Sequence, residues 1–112
     1  MLLKLPETER KIIWTTHSKI KLRQYRFSEK RVLRIFRKPN RIEEGIAPET
    51  IAAMEITGTK SHPTEAWVMY VVLKRPKAIK IISAWRYPGR TPLGERPLIP
   101  ADTLKELEKL MK

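Results

Sequence analysis

The stretch WTTHSKIKLRQYRFS, Trp14 to Ser28, holds residue types that can move a proton or hold a phosphate. His17 is followed by Lys19, Lys21, Arg23 and Arg26. An imidazole titrates near neutral pH and can serve as general base or acid. Arg23 and Arg26 stand three positions apart, which on a helix brings two guanidiniums within reach of one phosphate. Two readings are open at this point: a catalytic base with cationic helpers, or a polyanion-binding surface that carries a histidine.

The rest of the sequence narrows the chemistry. There is no cysteine, so neither a disulfide nor a thiolate metal site is available. With two histidines in all, an all-protein zinc site would lean on carboxylates, and none is expected. A Gly-rich phosphate loop, an acidic cluster for magnesium and a serine-triad signature are missing. The expectation is a protein without metal or cofactor. RNA offers a reaction that suits this, because its own 2′-hydroxyl is the nucleophile. The protein then supplies a base, an acid and cations that stabilise the phosphorane.

These side chains must be held by something. KIIWTT (11–16) is short, β-branched and aromatic, and reads as a strand. A helix is expected from about His17 to Arg26, with Thr15, Thr16 and Ser18 as candidate caps. Its apolar side would carry Ile20, Gln24 and Phe27, with Leu22 and Tyr25 pointing elsewhere, so more than one side is covered. Ser28 reads as the cap of a second helix, EKRVLRIFRK (29–38), with Glu29 in the first turn where the helix dipole favours an anion. Val32, Leu33, Ile35 and Phe36 face inward; Lys30, Arg31, Arg34, Arg37 and Lys38 face out; Pro39 ends it.

After a turn at KPNR come three strands. TIAAMEITG (50–58) is the weakest. EAWVMYVVLK (65–74) is apolar on both alternating faces, the mark of a central strand. KAIKIISAWRY (77–87) follows through a tight antiparallel connection at RPK, with Ile79, Ile81, Ser83 and Trp85 on one face and Lys80, Ile82, Ala84 and Arg86 on the other. Residues 88–100 form a Pro- and Gly-rich loop. The last helix, ADTLKELEKLMK, takes Asp102 as its cap and Leu104, Leu107 and Met111 as its stripe. The expected class is α+β: a strand, two helices, a small antiparallel sheet of three more strands and a C-terminal helix, as one domain over residues 1–112. Trp14, Trp67 and Tyr70 are assigned to the core, and His62 to a loop without a role.

Charge singles out two segments. The chain has 24 basic and 12 acidic residues. Residues 10 to 41 hold twelve of the basic groups and one acid, Glu29; residues 74 to 90 hold six and none. All of the excess therefore sits in these two segments, and a field of that sign attracts polyanions. Nucleic acid is the leading partner, ahead of an anionic surface or an acidic protein. Pro6 and Glu7 interrupt the start where a signal peptide needs an apolar run, and no apolar run approaches the roughly 18 to 20 residues of a membrane span. A cytoplasmic protein without membrane association is expected.

Residues 12 to 88 also resemble a family. The pattern is a strand ending in Thr-x-His, a helix with one or two Arg, a Phe-Ser start to a second helix ending at Lys-Pro, and a late hydrophobic-Ser-Ala-aromatic strand. Here these are Thr15-Thr16-His17, Arg23 and Arg26, Phe27-Ser28, Lys38-Pro39 and Ile82-Ser83-Ala84-Trp85. The pattern is similar to that of small bacterial and phage proteins of a family labelled as of unknown function, grouped with RelE- and BrnT-like toxins in the barnase/EndoU/colicin/RelE superfamily of metal-independent ribonucleases. The segment 42–66 is longer than in that pattern, and the tail after 88 has no counterpart in it.

The resemblance implies a RelE-like fold and a ribonuclease-type site formed by the first helix and the sheet. His17 would be base or acid, Arg23 and Arg26 would bind phosphate, and Ser83 would orient the scissile phosphate. Trp85, Arg86 and Tyr87 at a strand end would stack a base and bind phosphate. Lys30, Arg31, Arg34, Arg37 and Lys38 would attract the nucleic acid. An acidic antitoxin-like protein and the ribosome are partners of such toxins. The alternatives are a non-catalytic nucleic-acid-binding module on the same scaffold, or a small basic protein that binds an acidic partner.

Overall fold

The computed structural model describes residues 11–44, 47, 49–75, 77–94 and 98–110. Residues 1–10, Pro76 of the expected RPK connection and Met111 of the expected last stripe lie outside these. The elements are β1 (Lys11–Trp14), α1 (Thr16–Tyr25), α2 (Glu29–Arg37), β2 (Arg41–Glu44), β3 (Thr50–Gly58), β4 (Pro63–Lys74), β5 (Lys77–Pro88) and α3 (Ala101–Leu110). The class is α+β, with a mixed five-stranded sheet in the order β1-β5-β4-β3-β2. The chain leaves β1, crosses as two helices to the opposite edge, and returns by an antiparallel meander until β5 lies beside β1.

Two expectations are corrected by this topology. β1 pairs with β5 in parallel, Lys11↔Ala78 through Trp14↔Ile81, so the sheet is not purely antiparallel. Such a pair needs a long crossover, and everything between β1 and β5 supplies it. The segment after Pro39 is also more than a turn: Arg41 to Glu44 forms a fourth later strand, paired with β3 from Arg41↔Met54 to Glu44↔Ile51. Asn40 extends that ladder, its N–H bonding the Met54 carbonyl at 2.8 Å and its side chain accepting from Ile56 N at 2.7 Å. Strand propensity is low in RIEE because main-chain pairing, rather than apolar alternation, holds an edge strand this short.

Helix α1 is capped by Thr15, whose side chain accepts from Ser18 N at 3.0 Å and donates to the Ile82 carbonyl at 3.3 Å. It ends at Arg26, which takes the left-handed conformation (φ 60°), with Phe27 N returning to the Leu22 carbonyl at 2.9 Å. The expected apolar side of this helix is not its buried side. Ser18, Lys21 and Leu22 are buried, while Ile20 is 49 % exposed. Because α1 follows β1 and packs chiefly on β5, it touches both layers: Leu22 joins one core, and Tyr25 packs against both. Helix α2 behaves as expected, with Ser28 accepting from Arg31 N at 3.0 Å and Val32 and Ile35 fully buried.

An extra residue in β5 alters its pattern. The register runs Met69↔Ser83 and then Tyr70↔Ile81, leaving Ile82 unpaired as a bulge. Ile79, Ile81 and Ala84 therefore face the α1–α2 core, while Ile82 and Trp85 face the α3 core. Strict alternation put Ile79, Ile81, Ser83 and Trp85 together; the bulge separates the first two from the last two. On the α3 face Trp67 and Trp85 stack at 6.2 Å with 9° between their planes.

The Pro/Gly-rich loop is pinned to this face. The Glu65 carboxylate, 1 % exposed, accepts from Trp67 Nε1 at 3.0 Å, Thr91 N at 3.0 Å and Thr91 Oγ1 at 2.9 Å. Arg41 lies over the Trp67 ring and donates to the carbonyls of Thr91 (3.0 Å) and Pro92 (2.7 Å) and to Glu43 (2.6 Å). Replacing Glu65 by Ala orphans three buried donors, two of them on the loop residue Thr91 that Arg41 also holds. We expect a loss of about 3 kcal/mol, read as a lower urea midpoint at unchanged m-value.

Candidate nucleic-acid interface

Three clusters of polar side chains gather around α1. The first joins His17 to Ser83. His17 sits half-buried in the first turn of α1, and its Nε2 lies 3.3 Å from Thr103 Oγ1. Thr103 Oγ1 lies 2.8 Å from Ser83 Oγ, and both hydroxyls are fully buried. The two expected site residues are thus brought together through a third, on α3, which no sequence signal marked. Thr103 fills the space between them, so a phosphate does not reach Ser83 while α3 is docked.

The second cluster is an ion pair beneath the first. Lys21, one helical turn beyond His17, is 1 % exposed. Its Nζ donates to Asp102 Oδ2 at 2.8 Å and Gln24 Oε1 at 2.9 Å, and lies 4.9 Å from the Tyr25 ring centre. Asp102 was expected to cap α3. Instead the helix begins at Ala101, the Pro100 carbonyl accepts from Thr103 N and Leu104 N at 3.0 Å each, and Asp102 sends its carboxylate to Lys21. The hydrogen bond from Lys21, reinforced by its charge, holds the Asp102 carboxyl below the usual carboxylate range. Of the expected stripe on α3, Leu107 is buried and Leu104 is 45 % exposed.

Arg23 and Arg26 are not part of this group. Six residues along an α-helix is about 9 Å of rise and about two-thirds of a turn beyond the first, so Arg23 faces away from His17. Both arginines are exposed, and Arg26 occupies the left-handed cap.

The third cluster lies at the corner where α1, α2 and β5 meet. Phe27 is buried, and two guanidiniums flank its ring: Arg86 at 4.4 Å and Arg31 at 5.4 Å from the centre. Arg86 Nε donates to the Tyr25 carbonyl at 3.2 Å. Arg31 reaches Glu55 at 3.4 Å, while Arg34 holds the same carboxylate with two bonds, 3.1 and 2.9 Å. Lys30, Arg34, Arg37 and Lys38 are exposed along α2.

Of the two aromatic neighbours of Arg86, Trp85 is not free to stack a base. Trp85 is 1 % exposed and lies against Trp67, and Tyr87 is half-buried on the α3 core. As consecutive strand residues, Trp85 and Arg86 lie on opposite faces of β5, and the bulge at Ile82 sets which face each takes: Trp85 the α3 core, Arg86 the Phe27 ring. Among the described residues no group of three or more His, Cys, Asp or Glu side chains converges as a metal site. No described helix is long and apolar enough to cross a membrane.

No family model, curated protein or solved structure matches this chain.

The depressed Asp102 carboxyl has a pH signature. A group whose folded pKa lies below its unfolded value near 3.8 adds stability that is fully present above that value. This stability is lost as pH falls through the folded value. The stability gap between wild type and Asp102→Asn should therefore be widest above about pH 5 and close toward about pH 2, by urea denaturation at each pH. A gap that stays constant with pH would show that the Lys21–Asp102 pair contributes nothing electrostatic.

Proposed function

We propose that this protein binds RNA through the basic surface of α1 and α2. The observation that carries the reading is the run of exposed cations, Lys19, Arg23, Arg26, Lys30, Arg34, Arg37 and Lys38, beside which Glu29 and Glu55 bring negative charge. A solvated surface of this kind attracts phosphates at long range and releases counterions on contact. The buried cations are accounted for separately, Lys21 by Asp102 and Arg41 by the loop. A cytoplasmic location and contact with the ribosome fit such a protein.

RNA affinity should fall steeply with salt. Each phosphate contact adds about 0.7 to the slope of log affinity against log salt for a single strand. Replacing Arg23, Arg26 and Lys30 together by Gln should lower that slope by about 2, measured by fluorescence anisotropy with a labelled oligonucleotide. Affinity insensitive to salt would sink the reading.

A second reading, a toxin-type endoribonuclease held in check by an acidic antitoxin-like protein, draws support from His17. Its ring is partly open to solvent and hydrogen-bonded to Thr103 beside the Lys21–Asp102 pair. In that reaction the imidazole takes the proton of the 2′-hydroxyl. The 2′-oxygen then attacks phosphorus, the P–O5′ bond breaks, and a proton passes to the departing 5′-oxygen. A 2′,3′-cyclic phosphate remains. Arg23 and Arg26 would hold flanking phosphates rather than the scissile one. In EDTA, between about pH 5 and 8, the wild type should leave cyclic-phosphate ends and His17→Ala should not, with RNA affinity within about twofold. If wild-type protein leaves RNA intact, the binding module stands alone.

A further inference from the structure

We infer that Arg86 and Arg31, both set against the ring of Phe27, form a prepared seat for one phosphate of a bound nucleic-acid strand. This rests on the RNA-binding reading and names the anchor within that surface.

Arg86 is held before any ligand arrives. Phe27 supports its guanidinium from below at 4.4 Å, and Nε is tied to the Tyr25 carbonyl at 3.2 Å. Its two terminal nitrogens have no acceptor among the described residues, so their donors are left for a ligand. Little side-chain entropy is left to lose on binding, which favours a planar donor of this type.

Arg31 brings a second positive charge to the same ring. Burial, and then the charge of Arg31, pull Arg86 below its ordinary value, and an anion bound at this corner would offset the like charges. Arg31 is also poorly satisfied: its Nε is buried without an acceptor, and its bond to Glu55 is long at 3.4 Å. Glu55 keeps Arg34 if Arg31 turns away.

The donor chemistry of the seat, two guanidiniums on separate elements, favours phosphate over carboxylate. Two coplanar carboxylate oxygens suit one guanidinium fork, as Glu55 already does for Arg34. Two guanidiniums approaching from α2 and β5 need oxygens that diverge, and a tetrahedral phosphodiester supplies them. Arg26 and Lys30 flank Phe27 in sequence and are exposed, so adjacent phosphates of a strand have partners too.

The test uses the full chain and two probes. Inorganic phosphate is titrated while the Nε–Hε NMR signals of arginine are followed, and an RNA oligonucleotide is titrated at several salt concentrations. Saturable phosphate shifts at Arg86 and Arg31 are expected. Arg86→Gln should weaken RNA on the order of tenfold and lower the salt slope by about one. Arg86→Lys, which keeps the charge and should fold by circular dichroism, should fall between. Glu55→Gln, which releases Arg31, should tighten both probes. RNA affinity and slope unchanged in Arg86→Gln would overturn the seat while leaving the RNA reading intact. Phosphate saturating at Arg86 in a wild type that binds no RNA would overturn the RNA reading and assign the seat to a free phosphate.

Discussion

At Ile82, β5 takes one residue more than β4 can pair, and the surrounding elements arrange themselves around that step. Below it, β1 lies beside β5 and sends Ile12 and Trp14 into the α1–α2 core. At the step itself, Thr15 closes β1 by bonding the Ile81 and Ile82 carbonyls and in the same residue caps α1. Above it, α1 takes the place beside β5 that β1 gives up, Ser83 turns toward α3, and Arg86 turns toward the α1–α2 corner. A strand without the bulge would aim Ser83 and Arg86 at each other's layer.

The cations of this chain do four different jobs, which composition alone merges into one number. Lys21 and Arg41 are buried and bind named partners. Arg90 ties the end of β5 to the carbonyls of Thr57 and Thr64. Arg31, Arg34 and Arg86 are half-fixed, by Glu55, the Phe27 ring and the Tyr25 carbonyl. On α1 and α2, Lys19, Arg23, Arg26, Lys30 and Lys38 are exposed to solvent. Charge of the first kind depends on the fold, since a buried ion needs its partner in place; charge of the last kind acts at a distance and is screened by salt.

How far the sequence reveals this molecule depends on the range of the interactions involved. α2 was legible because its stripe, its Ser28 cap and Pro39 are local signals, and β4 because both of its faces are apolar. β2 was not, since RIEE has no pattern and is held by its neighbour. The bulge was invisible to any rule of alternation. In the candidate site the bringing together of His17 and Ser83 was legible, but Thr103 between them was not, because nothing in ADTLKELEKL marks a threonine that faces a distant strand. Lys21 read as one more cation of the basic run, and Ile20 as core, because a helix that touches two layers has no single apolar stripe. Arg86 was legible as a cation at a strand end, whereas the stacking assigned to Trp85 depended on a face that the bulge reverses.

The pair of Lys21 and Asp102 spans 81 positions of chain. A ribosome makes α1 long before it makes α3, and through that interval the lysine has no counter-ion for a buried site. The face of α1 that ends up against α3 must therefore stay wet during synthesis and dry out last. Parallel pairing of β1 with β5 imposes the same delay on the first strand. Among the described elements, β1 and α1 are thus made before the strand and the helix that hold them in place.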